Sequence, residues 1–164
     1  MTIVSRRAFR TLAITLGTLA VLLFGAAAVP GLAGAQTPPT CSSLTNIRVG
    51  RHVTYDRVVL DFCGPGPSSF RGTWTTTLVA DGSGKRVSLP GNKFVSVVSQ
   101  NETAWPTYVG PQKFTTPALR NVRAVAITGD FEGYLTIGLG MRHRTWLHVF
   151  TLANPSRLVI DVGR

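Results

Sequence analysis

The side chains with chemical potential in this sequence fall into small, separate groups. Asp130 and Glu132 bracket Phe131 in Gly129-Asp-Phe-Glu-Gly133. Alternate residues of an extended segment face the same way, so the pair could present two carboxylates together, the equipment of a glycan hydrolase. The flanking glycines favour a turn or bulge instead, with the acids solvated or paired to Arg123 or Arg142. Arg142, His143 and Arg144 run into Trp146, and Trp105-Pro-Thr-Tyr108 supplies a second aromatic segment. Aromatic faces stack on sugars while guanidinium groups meet carboxylate or phosphate, which makes Arg142, Arg144, Trp146, Trp105 and Tyr108 the candidate binding residues. The competing expectation is that Trp146 and Tyr108 anchor a core and the arginines solvate its rim. Of His52, His143 and His148, the last two are five apart and would face opposite sides of an unbroken strand, a poor ligand pair. No Gly-x-Ser-x-Gly elbow, His-Glu-x-x-His pair or phosphate-cradling glycine loop is present. Catalytic residues, a metal site and a cofactor are therefore not expected.

A repeated pattern runs through two further segments. Asp56-Arg-Val-Val-Leu-Asp-Phe62 is echoed by Ser156-Arg-Leu-Val-Ile-Asp-Val162, each with Arg and Asp four positions apart. On a strand this spacing puts Arg57 and Asp61 on one side, and likewise Arg157 and Asp161. The expectation is structural: charge pairs across neighbouring strands rather than a duplicated active centre. Cys41 and Cys63 are the only cysteines, 22 residues apart. In an oxidising compartment a single disulfide is expected between them, with a loop-closure contribution of about 3 kcal/mol.

The elements that must position these groups are short and punctuated by turns. Apolar runs and alternations mark strands at 47–52, 57–62, 71–79, 85–89, 94–98, 122–129, 134–139, 146–152 and 158–162. Gly64-Pro-Gly-Pro67, Asp81-Gly-Ser-Gly84 and Pro90-Gly91 separate several of them. Val58, Leu60 and Phe62 alternate with Arg57, Val59 and Asp61, and Val59 and Val159 imply that the second face is not fully wet. Only residues 117–120 look able to form a helical turn. The expected fold is all-β, a small two-sheet β-sandwich with at most one short helical turn.

The 164-residue chain is 44% apolar and 15% charged, which excludes a coiled coil, an acidic disordered tail and a large multidomain enzyme. Arg6, Arg7 and Arg10 precede an apolar run over 12–29, and Leu32-Ala-Gly-Ala35 places small residues before Gln36. This is the pattern of a secretory signal peptide over 1–35. Ser5-Arg-Arg-Ala-Phe9 resembles the twin-arginine export consensus. An uncleaved anchor is the alternative, and either way the remainder is expected outside the cytoplasmic membrane, extracellular or associated with the cell wall. Residues 36–44, with Pro38-Pro39, read as a short tether and residues 45–164 as the domain. Residues 36–164 carry 14 Lys and Arg against 7 acids, an excess suited to anionic wall polymer. Nucleic acid is not the expected partner, because no Arg-clustered helix is visible. Asn101-Glu-Thr103 matches a glycosylation sequon and is expected to be a polar surface loop.

Arg48-Val-Gly-Arg-His52, Tyr55-Asp-Arg-Val-Val-Leu-Asp-Phe62, Tyr108-Val-Gly-Pro111, Leu135-Thr-Ile-Gly-Leu-Gly140 and the closing Pro155-Ser-Arg-Leu-Val-Ile-Asp-Val162 together resemble the AMIN-like domain of actinobacterial secreted proteins and lipoproteins. The resemblance spans roughly residues 45–164. It implies a non-catalytic β-sandwich of the cell envelope, associated in some relatives with peptidoglycan targeting, and it supplies no catalytic residues. The lipid-attachment cysteine of many lookalikes is replaced here by Gln36, so a lipid tether is not implied. The expected function is an exported envelope module that binds peptidoglycan or associated anionic wall polymer. A protein-interaction domain with an envelope protein as partner is one alternative, and a carboxylate-dependent hydrolase using Asp130 and Glu132 is another.

Overall fold

The computed structural model describes residues 42–164. The segment read as an export signal, Cys41 and the tether up to that point lie outside the described residues. Strands β1 (Ser43–Arg51), β2 (Tyr55–Cys63), β10 (Leu147–Leu152) and β11 (Arg157–Gly163) form a four-stranded sheet in the order β1-β2-β11-β10. Strands β3 (Ser69–Thr75), β6 (Lys93–Gln100), β7 (Lys113–Thr115), β8 (Val122–Phe131) and β9 (Tyr134–Met141) form a five-stranded sheet in the order β3-β6-β9-β8-β7. Strands β4 (Leu78–Val79) and β5 (Arg86–Val87) make a short ribbon. Neighbours within each sheet are antiparallel.

Alternation in the sequence explains the layering. Along β2, Val58, Leu60 and Phe62 are buried while Arg57, Val59 and Asp61 stay half-buried on the other side. On β11 Leu158, Ile160 and Val162 take the same inward phase, although Val159 and Asp161 on the other side are buried as well, and these six inward side chains meet Val95, Val97, Leu135, Ile137 and Leu139 of the five-stranded sheet. Each such burial stabilises by about 1.5–3 kcal/mol relative to exposure, so this interior dominates the energetics of the sandwich. The far face of the five-stranded sheet is also covered in part, where Leu78 and Leu89 pack on Ala124 and Ala126. A side chain at Gly140 would collide with the Pro90 carbonyl, so glycine is what lets this cover lie against β9. β9 is buried from Leu135 to Met141 for that reason.

Several expectations are altered by tertiary packing. The run 71–79 is broken at Thr76 and Thr77 into β3 and β4, which join different sheets. β7 has only three residues and no alternation long enough to be seen in the sequence. Residues 117–120 form a turn rather than a helix, with Leu119 N–H donating to the Thr116 carbonyl at 3.1 Å. β1 begins at Ser43 and Leu44 is fully buried, two residues inside the segment read as tether. Glu102 is only 1% exposed, which corrects the reading of Asn101-Glu-Thr103 as a polar surface loop.

One polar junction fastens an end of the sandwich. Asp56 shares the inward phase of Val58, Leu60 and Phe62 and is fully buried. Its Oδ2 accepts the N–H groups of Asn121 at 2.6 Å and Val122 at 3.1 Å, while Arg164 Nε lies 3.5 Å from Oδ1. Asn121, also fully buried, donates from Nδ2 to the Gly163 carbonyl at 2.7 Å, and its Oδ1 accepts the N–H groups of Arg142 and His143 at 3.1 and 3.2 Å. Two side chains thereby tie backbone groups of β8, β11 and the β9–β10 loop together, reinforced by the Arg142 N–H donating to the Asn121 carbonyl and the Thr145 hydroxyl donating to the Gly163 carbonyl, each at 2.9 Å. Replacing Asp56 by Ala is expected to cost about 3 kcal/mol in urea unfolding, because it strands buried donors. Asp61→Ala, which breaks a pair whose Arg48 partner is 54% exposed, is expected to cost less than about 1 kcal/mol.

Glu102 is a second buried acid with a different balance. Its Oε1 accepts one hydrogen bond from the Ser42 hydroxyl at 3.2 Å, and Oε2 is buried without a partner. Burial pushes its carboxyl from the ordinary 4.5 up to about 7, the Ser42 hydrogen bond acting weakly in the opposite direction. The folded state therefore holds a proton that the unfolded chain releases between those two values. That contribution is complete below pH 4.5 and is lost as pH rises through about 7. Glu102→Gln is expected to flatten this part of the stability profile, removing a decline on the order of 2 kcal/mol measured by denaturation from pH 5 to pH 8.

Candidate functional site

The outer face of the four-stranded sheet gathers rings and charges because residues opposed in register share a face. Arg57 lies opposite Asp161, which lies opposite His148; Val59 opposes Val159, which opposes Phe150; and Tyr55 opposes Gly163. Arg57 grips Asp161 with two hydrogen bonds, Nε to Oδ1 at 2.7 Å and Nη2 to Oδ2 at 2.8 Å. That hydrogen bonding raises the Arg57 pKa against the opposing effect of burial. Asp61 is held instead by Arg48 of β1, through two bonds of 2.6 Å. Arg157 stands opposite Asp61 in register, but its Nε donates to the Pro155 carbonyl at 3.1 Å. Arg57 does not meet Asp61, nor Arg157 Asp161, because four residues of strand span about 13 Å.

Rings build on this charged frame. The Arg57 guanidinium lies 5.2 Å from the Tyr55 ring centre and 5.7 Å from that of Phe150. Tyr55 stacks on His52 at 4.3 Å and 13°, and meets Trp146 at 6.0 Å in a tilted contact. Trp146 rests on the backbone of Gly163, where an added Cβ would fall 2.5 Å from the indole nitrogen, and it remains 52% exposed. His52, Tyr55 and Trp146 thus form a row of rings at one end of the sheet, with Arg57 bracing the middle ring. The exposed rings of this row, His52 and Trp146, offer fixed faces for the C–H surfaces of a sugar, with Tyr55 packed against both.

The family model for the AMIN-like domain matches residues 42–164. The chain belongs to the AMIN-like domain family. The match runs over all the described residues, so both sheets, the Asp56–Asn121 junction and the ring row are parts of the AMIN-like domain. No curated protein and no solved structure is matched by the sequence.

The AMIN-like domain scatters the binding residues expected from sequence. Arg142 and His143 are exposed on the β9–β10 loop beside Trp146, their backbone held by Asn121. Arg144 turns to the other sheet, its guanidinium 5.7 Å from the ring centre of Trp74. Tyr108 belongs to the core at 9% exposure, donates its hydroxyl to the Pro111 carbonyl at 3.1 Å, and has its phenol pKa raised by burial. It therefore offers no stacking face, which corrects its place among the binding residues. Trp105 is 77% exposed but sits at the opposite end, beside Thr103, which bridges Ser43 across from Cys63. Tyr55 and Cys63 bound a nine-residue strand, so the two ends lie about 26 Å apart. Cys63 ends β2, no cysteine among the described residues is free, and Cys41 lies outside them.

The carboxylate pair is divided by its own turn. Asp130 accepts hydrogen bonds from the Thr103 hydroxyl at 2.7 Å and from the N–H groups of Ala104 and Trp105 at 3.1 Å, so it shapes the 103–105 segment. Glu132 and Gly133, at φ 51° and 75°, are the centre of the tight turn that joins β8 to β9. Neither acid pairs with Arg123 or Arg142; the ion pairs among the described residues are Arg48–Asp61, Arg57–Asp161 and Arg164–Asp56.

Tyr55 and Phe150 are the rings of this face that no motif marks. The signal for Tyr55 is its phase: it is two residues from Arg57 and therefore on the same face. Gly163→Val is expected to lift Trp146 from its seat, seen as displacement of one indole N–H resonance in the NMR spectrum. An unmoved set of indole signals would contradict the seating.

Proposed function

We propose that this AMIN-like domain is an exported, non-catalytic module of the cell envelope that binds peptidoglycan or its associated anionic wall polymer. The row formed by His52, Tyr55 and Trp146 carries the reading. Ring faces fixed by Gly163 and Arg57 take sugar C–H surfaces, while exposed Arg142 on the adjoining loop meets carboxylate or phosphate. Arg57 acts as a brace, since its charge is matched by Asp161. Membership of the AMIN-like family supports an envelope setting, as does the export pattern of the first 35 residues. A disulfide from Cys41 to Cys63 completes the proposal, anchoring the start of β1 at the end away from the ring row.

A second reading has its own observation. Trp105, Phe131 and Tyr134 are 77%, 66% and 45% exposed at the end opposite the ring row, a surface suited to an envelope protein partner. Hydrolysis by Asp130 and Glu132 is not favoured, because Asp130 is committed to the 103–105 segment.

Co-sedimentation of the protein with purified cell walls separates the two surfaces. Trp146→Ala is expected to weaken wall binding about tenfold, Trp105→Ala to leave it unchanged, and added salt to weaken it by screening Arg142. Wall binding that survives Trp146→Ala but is lost with Trp105→Ala would overturn the assignment.

A further inference from the structure

The Asp56–Asn121 junction also gathers charge. Arg51 stands opposite Asp56 in register, Arg120 immediately precedes Asn121, and Arg164 immediately follows Gly163. Fastening those three backbone segments together brings three arginines to one place. With His52 and Val53 they line an open pocket of about 280 Å³ at the end of the sandwich.

The charges in this pocket do not balance. Arg164 is anchored, its Nη1 donating to the Val53 carbonyl at 2.7 Å and its Nε 3.5 Å from Asp56. Asp56 is the acid that meets Arg164, and its other oxygen already serves two backbone N–H groups. Its charge answers Arg164 alone. Arg51 and Arg120 are exposed and take part in no ion pair among the described residues. Solvated arginines normally spread apart, because like charges that converge on a concave surface repel and the low-dielectric wall strengthens the repulsion. Three arginines that converge on the single acid Asp56 break the local rule of charge pairing, which is what a site for an external anion does.

We infer that this pocket is a phosphate-binding site, taking the phosphodiester group of a polymer or a lipid headgroup. Arg51 and Arg120 supply paired N–H donors whose fork matches phosphate oxygens, and Arg164, its charge answered by Asp56, forms a fixed wall of the pocket. His52 belongs both to the pocket and to the ring row, so the two surfaces adjoin. The inference stands on the arginine geometry and does not rest on sugar stacking.

The test titrates the protein, at matched ionic strength, with inorganic phosphate, soluble poly(glycerol phosphate) and phosphatidylglycerol vesicles. The Arg51→Gln/Arg120→Gln double variant is compared with Arg86→Gln/Lys113→Gln, which removes the same charge from exposed positions elsewhere. Binding of inorganic phosphate, and of the polymer or the vesicles, that falls at least tenfold in the first variant and less than twofold in the second supports the site. Whichever of polymer or vesicles is bound identifies the source of the phosphodiester. No binding of any probe, or equal loss in both variants, overturns it. Trp146→Ala is expected to keep phosphate binding within twofold, so failure of the ring row on walls and failure of this pocket are read separately. Circular dichroism of each variant confirms that the sandwich is intact.

Discussion

The buried carboxylate of Asp56 and the amide of Asn121 are the constraint on which the ring-bearing end of the sandwich depends. A β-sandwich closes its middle with apolar side chains, but at its ends the strands leave the sheets and backbone donors lose their ladder partners. Here Asp56 takes the donors where β8 begins, and Asn121 takes those where β9 leaves its sheet while giving one to the end of β11. The hydrophobic interior sets how strongly the two sheets associate. The polar junction sets where the loops between them are placed.

That placement accounts for the surface chemistry. Gly163 is fixed from one side by Asn121, and on its other side Trp146 rests against Tyr55. Arg57, tied to Asp161 across the strand boundary, braces Tyr55 from below. The same junction gathers Arg51, Arg120 and Arg164 around a pocket that shares His52 with the ring row. Rigid rings and convergent guanidinium groups on one end, with exposed Trp105 and Phe131 on the other, give the AMIN-like domain two chemically distinct poles.

The layers are legible in the sequence because strand periodicity is a local property. Val58, Leu60 and Phe62 alternate with Arg57, Val59 and Asp61, and the sandwich follows from that alternation repeated along the chain. Partner choice is not legible, because it depends on register: Arg57 meets Asp161, more than a hundred residues away, while Asp61 meets Arg48. Trp146 and Tyr108 look equivalent as aromatic residues near turns, yet one is seated on a glycine at the surface and the other is in the core. Asp56 does carry a local signal, because an acid in the inward phase of an apolar strand must find a buried polar partner. Asn121 carries none, since its role exists only once four segments have met.

The central claim is that the surface built around this junction is where the domain meets the wall. NMR mapping of backbone and indole signals during titration with soluble peptidoglycan fragments tests it most directly. The account predicts that the largest shifts fall on His52, Tyr55, Trp146 and Arg142, with the Trp105, Phe131 and Tyr134 signals unmoved. Shifts confined to Trp105, Phe131 and Tyr134 would contradict it.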